Sequence, residues 1–406
     1  MDDIVRFQTR FLYIALILLQ AIILLFGTDL PYARGLSLSK KAPPVISKGV
    51  WVTCFSEKKV LYSKEAALEL IEFCKNSGIS EVYIQLYRGG QAYYDSKIVD
   101  RAKYENMLKE SGVDVLDFLL QEAQKNKIKV FAWVNALSVA QNKKADIIVK
   151  FGDKVLTRDQ YLRPSMKGEN VNKTDNYYLR DNQLFLEPGD PAVAEYTLAI
   201  VAEIISRYPA ISGIHLDYAR YPYPIPFLPD SRFTRYGLSY GYGASSVTRF
   251  KEKTGINPLF LLNDEKNILL WDSWKREQVT SLVEKISKYL KSASKDKLLS
   301  CAVVPFPERA YSAAFQDWPG WLEKGIVDYV VLMNYTKDNK LAKETIKSAL
   351  SQRGMGKVFV GMGNFLMKDD PALLSEQYRI TSDLKPDGIV FFSYDDVSND
   401  PTLGRR

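Results

Sequence analysis

Residues 213–222 read GIHLDYARYP, and the alternation in this stretch decides the fold. Ile214 and Leu216 are apolar and His215 and Asp217 are polar, the period-2 pattern of a strand whose two faces meet different surroundings. In a parallel barrel, Ile214 and Leu216 would face surrounding helices, and His215 and Asp217 would point inward with Asp217 at the C-terminal rim. The same rhythm runs on both sides of it. From Lys48 onward, short apolar runs alternate with amphipathic stretches, as in strands wrapped by helices. Eight strands are predicted, over 49–54, 81–87, 129–134, 211–217, 298–304, 327–333, 357–361 and 388–393. Helices are predicted over 64–76, 114–125, 191–207, 271–292, 318–324, 340–352 and 372–384. The expected fold is α/β, a (β/α)8 TIM barrel spanning 48–406, with a short or missing eighth helix because little chain follows the last strand.

Two connections exceed ordinary loop length: 135–190 after the third strand and 218–266 after the fourth. Both leave the end of the barrel where barrel enzymes keep their sites, and the second carries YPYPIPFLPD and YGLSYGYG. Such aromatic content speaks against disordered insertions and for walls of a cleft. The charge of +7 is dispersed rather than gathered into a basic stripe, which excludes a recognisable nucleic-acid binder and is compatible with anionic surfaces. The single His argues against a zinc hydrolase with several His ligands, so no metal and no cofactor is expected. Cys54, Cys74 and Cys301 cannot all pair internally and read as buried thiols.

The one strongly apolar run is FLYIALILLQAIILLF at 11–26, with Arg6 and Arg10 before it. Its length suits a signal anchor over 11–27, with 1–10 as a short cytoplasmic tail and 28–47 as a linker. A cleaved signal peptide is the alternative. Arg34, Lys40 and Lys41 on the far side nearly balance the charge bias, so orientation follows from function. The expected address is the cell membrane, single-pass with the barrel outside the cytoplasm, or secreted or periplasmic if the segment is cleaved.

Strand parity selects the candidate site residues. In EVYIQLYRGG, Val82, Ile84 and Leu86 form the outer face, leaving Tyr83, Gln85 and Tyr87 inside and Arg88 at the rim. In KVFAWVNAL, Val130, Ala132 and Val134 face outward, and Trp133 and Asn135 face in. In GIVFFSYDD, Ser393 and Asp395 are placed on the inward face with Phe391. The sixth strand ends in MNYT, and parity leaves open whether Asn334 or Tyr335 enters the cleft. Arg220 and Tyr221, just past the fourth strand, join these as candidate contacts.

A carboxylate inside a barrel is costly unless partnered, so Asp217 suggests use, although pairing with Arg220 or capping a loop would also explain it. Cleavage of a glycosidic bond needs two carboxyls, one protonated as acid and one ionised as base or nucleophile. Asp217 is the strongest single candidate. Its partner is open among Glu308, just past the fifth strand, Asp395, and Asp317, which also suits a helix cap before Trp318.

Eight segments resemble the glycosyl-hydrolase-like family 10 between about Lys48 and Asp396: GVWVT, YIQLYRGGQAYYDSK, FAWVNAL, LEPGDPAV, GIHLDYARYP, WKREQV, QDWPGWLEKGIVDYVVLMNYT and FFSYDD. The resemblance implies a barrel acting on glycans, with bacterial members that cleave peptidoglycan glycan strands. It also implies that Gln85, Arg88, Asn135, His215, Asp217 and Arg276 line or support the cleft. Many relatives carry paired aspartates after the fourth strand, whereas here Asp217 is followed by Tyr218 and Ala219. The expected partner is a polysaccharide substrate, with the membrane engaged through the anchor and no protein partner indicated. A glycan-binding barrel without catalysis is the rival reading, and another barrel chemistry such as a lyase stays open.

Overall fold

The computed structural model describes residues 46–166, 182–223, 239–260 and 264–398. The expected tail, anchor and most of the linker lie outside these residues, as do 167–181 and 224–238 of the two long connections. Among the described residues no helix is long and apolar enough to cross a membrane.

Eight parallel strands close into a barrel: β1 (Ser47–Val52), β2 (Glu81–Arg88), β3 (Lys129–Asn135), β4 (Gly213–Asp217), β5 (Leu298–Val303), β6 (Tyr329–Asn334), β7 (Lys357–Gly363) and β8 (Gly388–Phe392). Each pairs with the next, and β8 returns to β1, which also pairs with β2. A two-residue strand, Gln91–Ala92, adds antiparallel to the end of β2. The helices are α1 (Lys64–Ser77), α2 (Ala102–Ser111), α3 (Val115–Lys125), α4 (Asp146–Phe151), α5 (Pro191–Arg207), α6 (Ala244–Thr254), α7 (Glu265–Ala293), α8 (Pro307–Ser312), α9 (Trp318–Glu323), α10 (Asn339–Ser351), α11 (Pro371–Asp383) and α12 (Tyr394–Val397). Side-chain caps start several of them. Ser63, Asp114, Asp190, Asp338 and Asp370 each accept from backbone N–H groups of the first turn, satisfying donors a helix leaves free. Only the single turn of α12 follows β8 within the described residues, in keeping with the expected short closing helix.

The core has two layers, as parity requires. Val82, Ile84, Leu86, Val130, Ala132, Val134, Ile214 and Leu216 pack outward against the helices. Trp51, Tyr83, Phe131, Trp133, Tyr329, Val331, Phe359 and Val390 fill the barrel itself. Each such large side chain contributes roughly 1.5–3 kcal/mol by leaving water. Two expected orientations are corrected. The pairing of β2 with β3 slips between Gln85 and Tyr87, and this bulge turns Tyr87 outward into the helix-facing layer. In β8, Phe391 packs outward near Tyr378 of α11 and Phe392 points in, because both faces of that strand are apolar and alternation carries no signal there.

Inside the barrel the aromatics close around a polar chain. The Trp51 indole donates to His215 Nε2 at 3.1 Å, so the imidazole proton sits on Nδ1, 2.9 Å from Ser300 Oγ. Below it, Tyr83 and Tyr329 both donate to the buried Glu81 carboxylate, at 2.6 and 3.1 Å. Burial alone pushes His215 down to about 3, so it stays neutral across the physiological range. His215 is fully buried, held between Trp51 and Ser300 inside the barrel.

Candidate active site

Asp217 ends β4, and its register partner on β3 is Asn135. Its side chain is 7% exposed. One carboxylate oxygen accepts the Trp133 indole N–H at 3.2 Å, and the other accepts the Tyr218 backbone N–H at 2.7 Å. Tyr218 adopts a φ of 55°, a left-handed turn that folds the chain back over the strand end and brings its own amide to the carboxylate. Burial raises the Asp217 pKa, and the Arg220 charge and the two hydrogen bonds pull part of that shift back. The result is a carboxyl able to hold a proton at higher pH than a surface aspartate.

Aromatic rings form the surroundings. Phe392 meets Trp133 at 6.3 Å and Trp51 at 5.8 Å, both edge-on, and its peptide to Ser393 is cis. Tyr335 lies 5.5 Å from Phe392, and Phe365 stands edge-on to both Tyr335 and Phe392 at 5.8 Å. The Tyr335 phenol is pushed well above its ordinary value by burial and then by the Asp217 charge, so it remains a neutral hydroxyl. The open choice after β6 is thereby resolved. Tyr335 enters the mouth, and Asn334 turns to the helix side, where its amide donates to Ala342 O of α10 at 3.4 Å.

The remaining predicted residues divide. Gln85 donates to Asn135 at 3.1 Å and accepts the Cys54 N–H at 3.3 Å, so the two amides brace the rim beside Asp217. Arg88 lies over the exposed Phe55 ring at 5.1 Å. Arg220 is buried over Tyr218 and Tyr223, each at 4.9 Å, and Nη1 donates to Tyr221 O at 3.2 Å. Tyr221 is fully buried, its hydroxyl turned away to Glu187, so it supports the loop instead of offering a surface. Arg276 stacks on Tyr311 at 3.9 Å, on the outer side of α7, and no described contact joins it to Asp217.

The three candidate partner acids are each engaged elsewhere. Glu308 lies exposed in α8, accepting from Gln352 at 3.1 Å, at the end of α10 remote from the mouth. Asp317 caps α9 by accepting from Gly320 N at 3.2 Å. Asp395 stays at the rim of β8, opposite β4 in the barrel order, and accepts from Ser56 Oγ at 2.5 Å and Lys58 N at 3.4 Å. Among the described residues, no group of three or more His, Cys, Asp or Glu could hold a metal ion.

Parity could not find Glu187, which lies in a loop. Its carboxylate is fully buried and accepts from Tyr221 Oη at 2.6 Å, Thr157 Oγ1 at 2.8 Å, Gly189 N at 3.1 Å and Gly243 N at 3.2 Å. Burial raises it to about 7 against these bonds. Lys275, also fully buried, lies 3.8 Å above the Phe315 ring and pairs with Asp272 at 2.9 Å; burial lowers it to about 8.

An eight-stranded parallel barrel with a buried carboxylate and aromatic side chains at the carboxyl ends of its strands is the architecture of many glycosidases. The chain belongs to the glycosyl hydrolase-like 10 family, whose model matches residues 47–358. It is similar to glycosyl hydrolase DigH of Escherichia coli, 24% identical over 290 residues, covering 67% of this chain and 58% of that protein. It is also similar to glycosyl hydrolase YngK of Bacillus subtilis, 22% identical over 318 residues, covering 71% and 54%. The chain thus spans little more than half the length of these curated relatives. Its fold is similar to the catalytic domain of β-amylase from Paenibacillus polymyxa, with TM-score 0.55, 11% identity and coverage of 88% of this chain and 94% of that one. It is also similar to a β-galactosidase from Bacillus circulans, with TM-score 0.52, 14% identity and coverage of 86% and 50%.

Proposed function

We propose that the protein is a glycoside hydrolase that cleaves an extracytoplasmic polysaccharide, with peptidoglycan glycan strands as its substrate and Asp217 as the proton donor to the leaving oxygen. The observation that carries this is Asp217 itself: a buried carboxyl with a raised pKa, held by Trp133 and Tyr218, among the rings of Trp133, Tyr335 and Phe392. A general acid needs its proton near neutral pH, and burial is the usual means of keeping it. Flat aromatic faces suit the apolar faces of sugar rings. The membrane-anchored, extracytoplasmic address is part of the same proposal and rests on the apolar run at 11–26.

The test is a digest of purified peptidoglycan and a polysaccharide panel by the full chain, with products identified by mass. Wild type should release defined fragments, and Asp217→Asn should release none while still folding and binding glycan. Unchanged turnover in that variant would remove Asp217 from the reaction.

A glycan-binding barrel without catalysis is favoured by one observation, the engagement of Glu308, Asp317 and Asp395 in contacts of their own. Tight glycan binding by wild type with no product from any polymer would establish it instead.

A further inference from the structure

The Glu187 carboxylate lies where the two long connections meet, beside the backbone bonds from Gly241 and Tyr242 to Arg158 O. Thr157 and Gly189 come from the connection after β3, and Tyr221 and Gly243 from the connection after β4. Both glycines are required by space. A Cβ at Gly243 would lie 2.6 Å from Glu187 Cγ, and one at Gly189 would lie 2.4 Å from Ser246 Oγ. Tyr221 is also held through its amide, which donates to Ala314 O at 3.0 Å, and its ring stands edge-on to Phe315 at 5.7 Å. The Tyr221 carbonyl in turn receives Arg220 Nη1, and the Arg220 guanidinium is the charge that draws Asp217 toward ionisation. Contacts therefore run from Glu187 through Tyr221 to Arg220, whose guanidinium lies 4.9 Å over the ring of Tyr218, and the Tyr218 amide in turn donates to Asp217.

We propose that Glu187 is a positioning residue of the Asp217 site: by anchoring Tyr221 it fixes Arg220 beside the carboxyl and so sets the protonation of Asp217. This rests on the reading of Asp217 as the proton donor. The groups facing Asp217 are Arg220 and the Tyr218 amide from its own loop, Trp133 from β3, the Cys301 thiol of β5, which burial and the Asp217 charge keep neutral, and Tyr335 from the segment after β6. Those facing Glu187 are Tyr221, Thr157, the two glycine amides and the Lys275 ammonium of α7. No cation among these groups other than Arg220 acts on Asp217, so loosening Arg220 has a defined sign. Asp217 should hold its proton to higher pH.

The experiment uses the full chain with 13Cγ-labelled aspartate, the Asp217 resonance being assigned by its loss in Asp217→Asn, alongside the pH dependence of glycan cleavage. Arg220→Met removes the charge, and the Asp217 midpoint should rise by about one pH unit or more. Tyr221→Phe removes the hydroxyl that donates to Glu187 at 2.6 Å and also meets Ser246, and should raise the midpoint by part of that amount, as should Glu187→Gln, which leaves the Ser246 contact in place. Tyr221→Phe added to Arg220→Met should shift it no further, because the path through Arg220 is already cut. The alkaline limb of the cleavage profile should move with the midpoint. Unmoved midpoints in Tyr221→Phe and Glu187→Gln, with activity lowered equally at all pH values, would leave Glu187 a purely structural residue and overturn the inference. Additive shifts in the double variant would overturn it as well. A wild type that cleaves no glycan sinks the hydrolase reading alone, since the carboxyl titration still decides the role of Glu187.

Discussion

Trp133 donates its indole N–H to the Asp217 carboxylate across 3.2 Å from the neighbouring strand. The bond joins the only ring nitrogen at the mouth of β3 to the end of β4, and the same ring forms the wall facing Phe392. The group that orients the carboxyl is thus also part of the surface a ligand would meet.

Trp133→Phe keeps an aromatic wall and deletes that donor. Losing a hydrogen bond to a charged group costs about 1.5–3 kcal/mol, which corresponds to roughly tenfold or more in turnover, and Asp217 should titrate at higher pH. Initial rates of glycan release against pH would show both effects. A variant as fast as wild type, with the same profile, would mean the indole does not act on the carboxyl.

The sequence holds one histidine, so its titration can be read without ambiguity. His215 is lowered from 6.5 to about 3 in the folded state, so the stability it contributes is present above pH 6.5 and is lost as pH falls toward 3. The unfolding free energy of wild type relative to His215→Gln should therefore drop by about 2–3 kcal/mol between pH 7 and pH 4.5. Urea melts at the two pH values measure it. An imidazole proton resonance that titrates near 6.5 in the native protein would contradict the assignment.

Glu187 should behave with the opposite sign. Its folded pKa of about 7 lies above the unfolded 4.5, so its contribution is fully present below pH 4.5 and lost as pH rises through 7. Relative to Glu187→Gln, wild type should lose about 3 kcal/mol between pH 4 and pH 8. A flat difference across that range would show that the four donors outweigh burial.

Gly243→Ala places a methyl group 2.6 Å from Glu187 Cγ and displaces the amide that donates to Oε2. Overpacking of this kind costs about 1–3 kcal/mol. Thermal and urea unfolding should register the loss. A neutral substitution would mean the two loops do not meet at the carboxylate.

Glu308→Gln should leave turnover within about twofold of wild type, as expected for an exposed side chain remote from the chemistry. Its carboxyl faces Gln352 at the far end of α10. A loss comparable to that of Asp217→Asn would restore Glu308 as the second acid.

What was legible in the sequence follows from what alternation can encode. Where one strand face is aliphatic and the other polar, as at Ile214 to Asp217, parity assigns both faces, and Tyr83, Gln85, Trp133 and Asn135 fall inward as expected. It breaks at Tyr87, where a bulge adds a residue to the count, and at Phe391, where both faces are apolar. Loop residues carry no parity. Glu308 and Tyr221 sit at the right distance along the chain from strand ends, yet one turns outward and the other is buried against Glu187. Arg276 is drawn outward by Tyr311, a contact that no helix periodicity announces. Glu187 stands in LEPGDPAV, one of the segments that carry the family resemblance, but Pro188 and Gly189 follow it in a loop, where no alternation assigns its side chain a face.

The stacked rings within the barrel, Tyr83 on Phe131 at 5.2 Å and Tyr329 on Phe359 at 4.5 Å, give the site a solid floor. On the proposed reading, no polymer is threaded through the molecule. Substrate must enter and products must leave by the same face, the one formed by the carboxyl ends of the strands.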